Sequence, residues 1–467
     1  MPPPLALLLG ILFILYLFRR DFRQQINVSY GLWIPCVWLL ILGSRAVSQW
    51  LQLGAPVISA NAVAEGSPLD ALVFTLLIVT GLIVLWRRHI RWTEVFRHNL
   101  WLTLFFVYCG VSLLWSDFPL VASKRWVKAL GDPIMALIIL TEPEPILAIE
   151  TVIRRCYYVL VPLSIVFIKY YPDLGRTYDD WTGAVFFTGV NTNKNMLGLL
   201  CMVFGLFSIY RLCIDWPQKR HDPNKRADVL WIILLLYLNL WTLWMADSKT
   251  SLLSLILGAV VILATGYPII RQRIGKFVVG SIFVYGVLEI SLSISTSIIT
   301  SSGRDATLTG RADLWEVLLK MDPSPILGHG FESFWLGDRL KKLWDLYYFK
   351  PTQAHNGYIE VYLNLGLIGL FLLAGVIFSC FNNIRKLLVN PGPKAAERLV
   401  FDRFRLAYLL GYVLYNMTEG GFRPLNFVFI IFLILSIEYP RKMNALATQR
   451  SSAHLSASHP KTAGVIG

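Results

Sequence analysis

Residues 229–270 read VLWIILLLYLNLWTLWMADSKTSLLSLILGAVVILATGYPII, two apolar runs parted only by the polar step Asp247-Ser248-Lys249-Thr250. Each run is long enough to cross a hydrocarbon core of roughly 30 Å as a helix. A helix is also what lipid demands, because backbone N–H and C=O groups find no water there and must bond within their own segment. Similar runs recur along almost the whole chain of 467 residues, in which hydrophobic residues make up 55% and charged residues 15%. A water-soluble fold of that composition would leave far too much apolar surface exposed.

The reading is therefore all-α: a polytopic membrane bundle of about twelve to thirteen transmembrane helices. Residues 1–297 hold the first ten, 298–357 form one large loop containing short helices, 358–440 hold the C-terminal spans, and 441–467 form a disordered cytoplasmic tail. The stretch 129–147 decides between twelve and thirteen, since Asp132 and Pro133 sit near one end and Glu142 and Glu144 near the other. It is followed by an inner connection at 148–155 and a span at 156–171, and the first C-terminal span is placed at 358–380. The opening apolar run, Leu5 to Phe18, precedes Arg19, Arg20 and Arg23, the reverse of a secretory signal peptide, and is expected to be a retained first span.

A net charge of +14 raises the question of nucleic acid, but the Lys and Arg residues lie in short clusters between apolar spans and form no basic arm. More than half of them gather on one set of connections, 19–28, 87–98, 148–155, 214–228, 271–276, 381–403 and the tail. The positive-inside rule assigns that side to the cytoplasm. The other face then carries 47–68, 116–128, 172–194, 247–251, 298–357 and 419–423. The six cysteines lie in or beside apolar stretches, with no CxxC and no zinc-like spacing, and are expected to be small core residues.

The loop at 298–357 is by far the longest connection, and long ordered loops in compact proteins tend to be functional. Within it, Arg311 to Lys320 puts Leu314, Trp315, Leu318 and Leu319 on one helical face, ended by Pro323 and Pro325. The spacing predicts a short amphipathic helix lying on the membrane surface.

Several cations and one histidine stand beside glycines and aromatics on the outer face: Arg176 in DLGRTYDDW, Lys194 in NTNKNMLG, Lys249 in DSKTSLL, Arg304 and Arg311 in GRDATLTGR, and His355 in AHNGYIE. A polyanionic ligand would give these charges a purpose, with Arg pairing bidentately to phosphate oxygens and Lys adding a point charge. The plainer reading for Lys194 and Lys249 is snorkelling to the headgroups, and for Arg176 and Arg304 simple solvation. Arg311 differs, because it stands near the start of the expected loop helix, where free backbone N–H groups and the helix dipole also favour an anion. His355 should lie at the lipid boundary, as a hydrogen-bonding anchor or as a group that takes a proton from a sugar hydroxyl. Glu360, five residues on, lies too far round the helix to orient it directly. Glu419 in NMTEGGF and the pair Asp179 and Asp180 are further outer acids. No Asp-x-Asp pair occurs, so no metal and no cofactor is expected, and protein cations would have to neutralise a leaving diphosphate.

TGRADLWEVLLKMDPSPILGHGFESF followed by AHNGYIEVYLNLGLIGLFLL resembles the signature of the O-antigen ligase and polymerase superfamily. SDFPLVASKRWVKALGD, GVNTNKNMLG and DSKTSLLSLILG look most like its exopolysaccharide-polymerase branch, so the resemblance runs from about Trp115 to about Glu419. It implies a GT-C-like helical bundle in the bacterial inner membrane with its active site facing the periplasm. The implied reaction is metal-independent, inverting transfer of a glycan from undecaprenyl diphosphate to an acceptor hydroxyl. It further implies Arg311 as a diphosphate ligand and His355 as the base. Glu419, Asn356 and Glu360 are expected beside them as acceptor-side or supporting groups. Where ligases of the family carry an Arg in a second diphosphate-binding position, this chain has Lys249, which keeps the charge and loses the fork. A chain-length regulator and a flippase are the partners such enzymes work with.

A ligase acting on lipid A-core or on protein is the near alternative. A transporter is the alternative of another class; transporters usually place charged or broken-helix sites near mid-membrane. Here the ionisable residues cluster at span ends and in one loop.

Overall fold

The computed structural model describes residues 1–23, 27–52, 66–178, 183–219, 222–281, 311–321, 324–347, 349–391 and 395–439. The chain opens with α1 (Pro3–Arg23), α2 (Trp33–Leu42), α3 (Pro68–Arg87), α4 (Leu100–Val111), α5 (Pro119–Ala129) and α6 (Gly131–Leu140). The long α7 (Pro145–Tyr170) leads to a small antiparallel hairpin, β1 (Arg176–Tyr178) on β2 (Val185–Phe187), with Arg176 opposite Phe187. Next come α8 (Lys194–Gln218), α9 (Pro223–Ala246) and α10 (Lys249–Ala264). Then follow α11 (Arg311–Lys320), α12 (Gly337–Leu346), α13 (Gly357–Val389), α14 (Ala395–Tyr415) and α15 (Phe427–Ser436). The all-α expectation holds apart from the hairpin.

Helix starts follow local chemistry. Ser67, Asn193, Asp222, Asn356 and Asn426 each accept a backbone N–H of the helix they precede, and Pro68 and Pro223 occupy the first helical position, where no donor is lost. Packing then sets the bundle: α8 lies against α9 and α10, α10 against α14, α4 against α13, and α1 against α7. The interior is aromatic-rich, with Tyr157 stacked on Phe204 at 4.7 Å between ring centres and Trp38, Tyr408 and Tyr412 fully enclosed.

Among the described residues, five helices are long and apolar enough to cross a membrane: α3, α7, α8, α9 and α13. A sixth arises if Trp92–His98 and Leu100–Trp115, bent by 100°, form one span, and three shorter apolar helices accompany them. The protein is a multi-pass membrane protein. The last of the ten spans expected within 1–297, placed at 277–297, lies mostly outside the described residues, and Asp179 and Asp180, Arg304 and the tail 441–467 lie wholly outside them.

Three expectations are corrected. The inner connection at 148–155, with spans on either side, does not exist: α6 is a ten-residue buried helix and α7 runs unbroken from Pro145 to Tyr170. The charges that suggested a loop are paired inside the protein. Asp21 binds both Arg154 and Arg155, at 2.7 and 2.9 Å, and Glu150 binds Arg211 at 2.7 Å and also accepts from Tyr210.

Secondly, the expected 358–380 span belongs to a helix interrupted at Gly366, whose φ is +63°. A side chain there would run into the backbone of Ile326, and the freed N–H groups of Leu367 and Ile368 bond instead to the carbonyls of Pro325 and Ile326. Gly357–Leu365 is thereby a separate segment that packs with the loop region, and 367–389 is the membrane-length part.

Thirdly, α11 does form at Arg311–Lys320, but its apolar face packs on protein. Leu314 and Leu318 are buried in a small core with Phe334, Trp335, Leu340, Leu343, Ala354 and Leu363, while Leu319 points outward. The hydrophobic periodicity identified the face, and the loop's own second helix supplied the cover.

Candidate active site

Four helix starts meet at one end of the bundle around residues 416–419. Asn416 builds that turn: its Oδ1 accepts the N–H groups of Gly421 and Phe422 at 2.8 and 2.7 Å, and its Nδ2 donates to the Tyr412 carbonyl. The start of α13 docks here through Gly357 N–H to the Asn416 carbonyl at 2.9 Å and Asn356 Nδ2 to the Met417 carbonyl at 2.9 Å. The start of α10 arrives through Thr250, whose hydroxyl is 2.8 Å from that of Thr418. The start of α11 arrives through Arg311, which donates to the Thr418 carbonyl. The start of α8 arrives through Asn195.

Glu419 is the common partner. Its Oε1 accepts from Asn195 Nδ2 at 2.7 Å and Arg311 Nη2 at 2.9 Å, and its Oε2 lies 3.4 Å from His355 Nδ1. The carboxylate side chain is 7% exposed, the Arg311 side chain 16% and the His355 side chain 28%. Glu419 is thus shut in while the imidazole keeps access to the outside. A carboxylate on Nδ1 favours the tautomer with the proton there, which leaves Nε2 able to accept another. Four positive dipole ends and a guanidinium around one enclosed carboxylate make a surface disposed toward anions.

His355 holds φ at +51°, unusual for a residue with a Cβ. Asn356 caps α13, its Oδ1 accepting from Tyr358 and Ile359 N–H, so the histidine is the residue just ahead of the helix cap. Glu360 does not touch the imidazole. It is buried one turn into α13, where it accepts from Trp335 Nε1 at 2.9 Å and from the Ala354 N–H.

The remaining candidates divide. Lys249, the first residue of α10, pairs with Asp247 at 3.1 Å, both half-exposed, directly before Thr250 in the cluster. Lys194, the first residue of α8, precedes Asn195 and has its ammonium 4.5 Å from the centre of the Phe186 ring. Arg176 stands apart from the Glu419 cluster: its Nε donates to the Ile168 carbonyl at 2.9 Å and its guanidinium lies over Phe187. Arg304 is outside the described residues.

Asn195, Thr250, Asn416 and Thr418 all sit in the motifs quoted from the sequence, yet none of them stood out there as a candidate. Uncharged residues at helix starts carry no compositional signal for a site. A second polar group flanks the first: Arg423 grips Glu332 through Nε and Nη2, the latter at 2.7 Å, and Arg125 donates to the Glu332 carbonyl at 2.7 Å. The Glu332 carboxylate raises the pKa of Arg423, whereas burial lowers that of Arg125.

A family model described as O-antigen ligase matches residues 232–374, a stretch holding Lys249, Arg311 and His355. The exopolysaccharide production protein ExoQ of Rhizobium meliloti (strain 1021) is 25% identical over 322 residues, 67% of this chain and 72% of that protein. A protein of Rickettsia conorii named as a candidate polysaccharide ligase is 25% identical over 251 residues, 50% of this chain and 59% of its own length. A similarly named Rickettsia bellii protein is 24% identical over 244 residues, 49% of this chain and 55% of its own length. Taken with the motif that sets Arg311 and His355 on one carboxylate, these matches make the chain similar to O-antigen ligases over residues 232–374 and to an exopolysaccharide production protein over two thirds of its length.

Proposed function

We propose that this protein is a membrane glycosyltransferase that takes a glycan from a lipid diphosphate, of the undecaprenyl type, and passes it to an acceptor hydroxyl on the outer face of the bacterial inner membrane. The observation that carries this reading is the Glu419 carboxylate holding Arg311 on one oxygen and facing His355 Nδ1 with the other.

In this scheme His355 Nε2 takes the proton of the acceptor hydroxyl as its oxygen attacks the anomeric carbon. The bond from that carbon to the diphosphate oxygen breaks on the opposite side, the electron pair leaves with the diphosphate, and the anomeric configuration inverts. Glu419 stabilises the imidazolium as it forms. Arg311, Lys249 and Lys194, with the starts of α8, α10 and α11, stabilise the departing diphosphate, and Arg304 is a further candidate. Arg176 has a lesser part, its Nε being committed to a backbone carbonyl. One well-placed contact on developing charge can be worth roughly 3 to 4 kcal/mol, and general-base help about a hundred- to ten-thousand-fold in rate. The scheme assigns the charge neutralisation to protein cations and asks nothing of a metal or cofactor.

Donor and acceptor are both lipid-linked repeat units if the protein is a polymerase, the reading that the ExoQ likeness favours. The likeness to proteins named as candidate polysaccharide ligases favours a second reading, transfer of finished glycan to lipid A-core or protein. Purified protein in lipid nanodiscs, given a lipid-diphosphate repeat unit and scored by gel, tests the activity. Polymer that is lost in His355→Ala is the expected outcome, and native polymerisation by folded His355→Ala protein would falsify the base assignment. Gene deletion separates the two readings: single repeats accumulate without a polymerase, long carrier-bound chains without a ligase.

A further inference from the structure

The backbone on the N-terminal side of His355 is held from two directions. The Ala354 N–H donates to Glu360 Oε1, and the Ala354 carbonyl accepts from Trp315 Nε1 at 2.7 Å. The second oxygen of Glu360 accepts from Trp335 Nε1 at 2.9 Å. Ala354 is fully buried, Glu360 is 6% exposed and Trp335 4%, so none of these polar groups has water to fall back on. On the C-terminal side, Asn356 caps α13 and Gly357 docks on Asn416. Between these fixed points His355 keeps its positive φ of +51°, a conformation that costs energy and persists only when the surroundings enforce it.

Trp315 lies on α11, one turn after Arg311. The helix that delivers the guanidinium to Glu419 therefore also grips the carbonyl just ahead of the histidine. We propose that Glu360 is a positioning residue, which with Trp315 and Trp335 holds the strained turn at His355 so that Nδ1 stays against Glu419 and Nε2 stays toward the acceptor. This rests on the reading of His355 as the base.

The chemistry calls for a carboxylate. Two N–H donors reach two separate oxygens, a demand that Glu meets and Gln cannot, because the amide offers one acceptor and turns its own N–H₂ group toward the other donor. The arm is long because it reaches back from the first turn of α13 to the second residue before the cap, Asn356.

The test is a double-mutant cycle on the purified full-length protein with lipid-diphosphate repeat units. Glu360→Gln is expected to lower kcat roughly 10- to 100-fold with the KM for the lipid donor unchanged, since the residues on the diphosphate side are untouched. Trp315→Phe, which removes only one donor, is expected to lower kcat in the same direction. In a His355→Ala background neither change should reduce the residual rate further. Equal fold losses in both backgrounds, or a rise in donor KM with native kcat, overturns the proposal and leaves Glu360 a general structural residue. If the His355→Ala residual rate does not rise above the enzyme-free blank, the split between kcat and KM decides. If Glu360→Gln does not fold, Trp315→Phe decides, and native kcat in that variant overturns the proposal. Native activity in His355→Ala is a separate outcome and sinks the base assignment itself.

Discussion

Glu419 Oε2 stands 3.4 Å from His355 Nδ1 across a separation of 64 residues, and the same carboxylate reaches Arg311 with its other oxygen. A charge shared in this way aligns two functions at once. It sets the tautomer of the imidazole, and it orients a guanidinium whose remaining N–H groups can serve a phosphate.

Glu419→Gln should therefore slow transfer while leaving the protein folded. Glutamine keeps the volume and one acceptor oxygen but loses the charge, and a hydrogen bond to a charged group is worth about 1.5 to 3 kcal/mol, or roughly 10- to 100-fold in rate. Initial rates of product formation check this, and a rate within about twofold of native would remove Glu419 from the scheme.

Lys249 distinguishes phosphate binding from snorkelling. Its partner Asp247 is half-exposed, so their ion pair contributes little to stability. Lys249→Arg should retain most activity and Lys249→Ala should raise the KM for the lipid-diphosphate donor about tenfold, as loss of a charged contact does. Equal KM in both variants would leave Lys249 as a headgroup anchor.

Gly357→Ala should damage the site without touching a charged group. A methyl group there would collide with the Asn416 side chain, which organises the turn carrying Glu419. Overpacking of this kind costs about 1 to 3 kcal/mol, so the thermal midpoint in detergent, followed by tryptophan fluorescence, should fall together with activity. An unchanged midpoint would mean that Asn416 yields freely.

Asp21→Asn provides the opposite dissociation. Asp21, near the end of α1, pairs with Arg154 and Arg155 of α7, one turn from Glu150, whose partner Arg211 lies toward the end of α8 away from Asn195 and the site. Removing one partner of a buried ion pair costs about 3 to 5 kcal/mol, so the midpoint should drop clearly. The kcat per folded molecule should stay native, and a changed kcat would reveal coupling between the two ends of the bundle.

The residues that could bear chemistry were legible early because rare polar groups stand out in apolar sequence. Arg311 and His355 were identified this way, and Lys249 and Lys194 at the starts of α10 and α8. Arg176 was equally conspicuous in sequence, yet the structure commits it to the Ile168 carbonyl. Conspicuous charge marks a candidate without naming its partner.

Membrane embedding and helical class were determined by the sequence alone, since transfer into lipid sums over contiguous residues and a helix satisfies its backbone locally. Which carboxylate serves the histidine was not. Helix geometry already set Glu360 aside, and it holds Ala354 and Trp335; only the tertiary structure shows that Glu419 gathers His355, Arg311 from 108 residues away and Asn195 from 224. Tertiary structure likewise decided that the charges at 150–155 lie inside a continuous helix, because the ion pairs that make their burial tolerable come from α1 and α8. Such partnerships depend on how helices pack against one another, and no local pattern of residues encodes that.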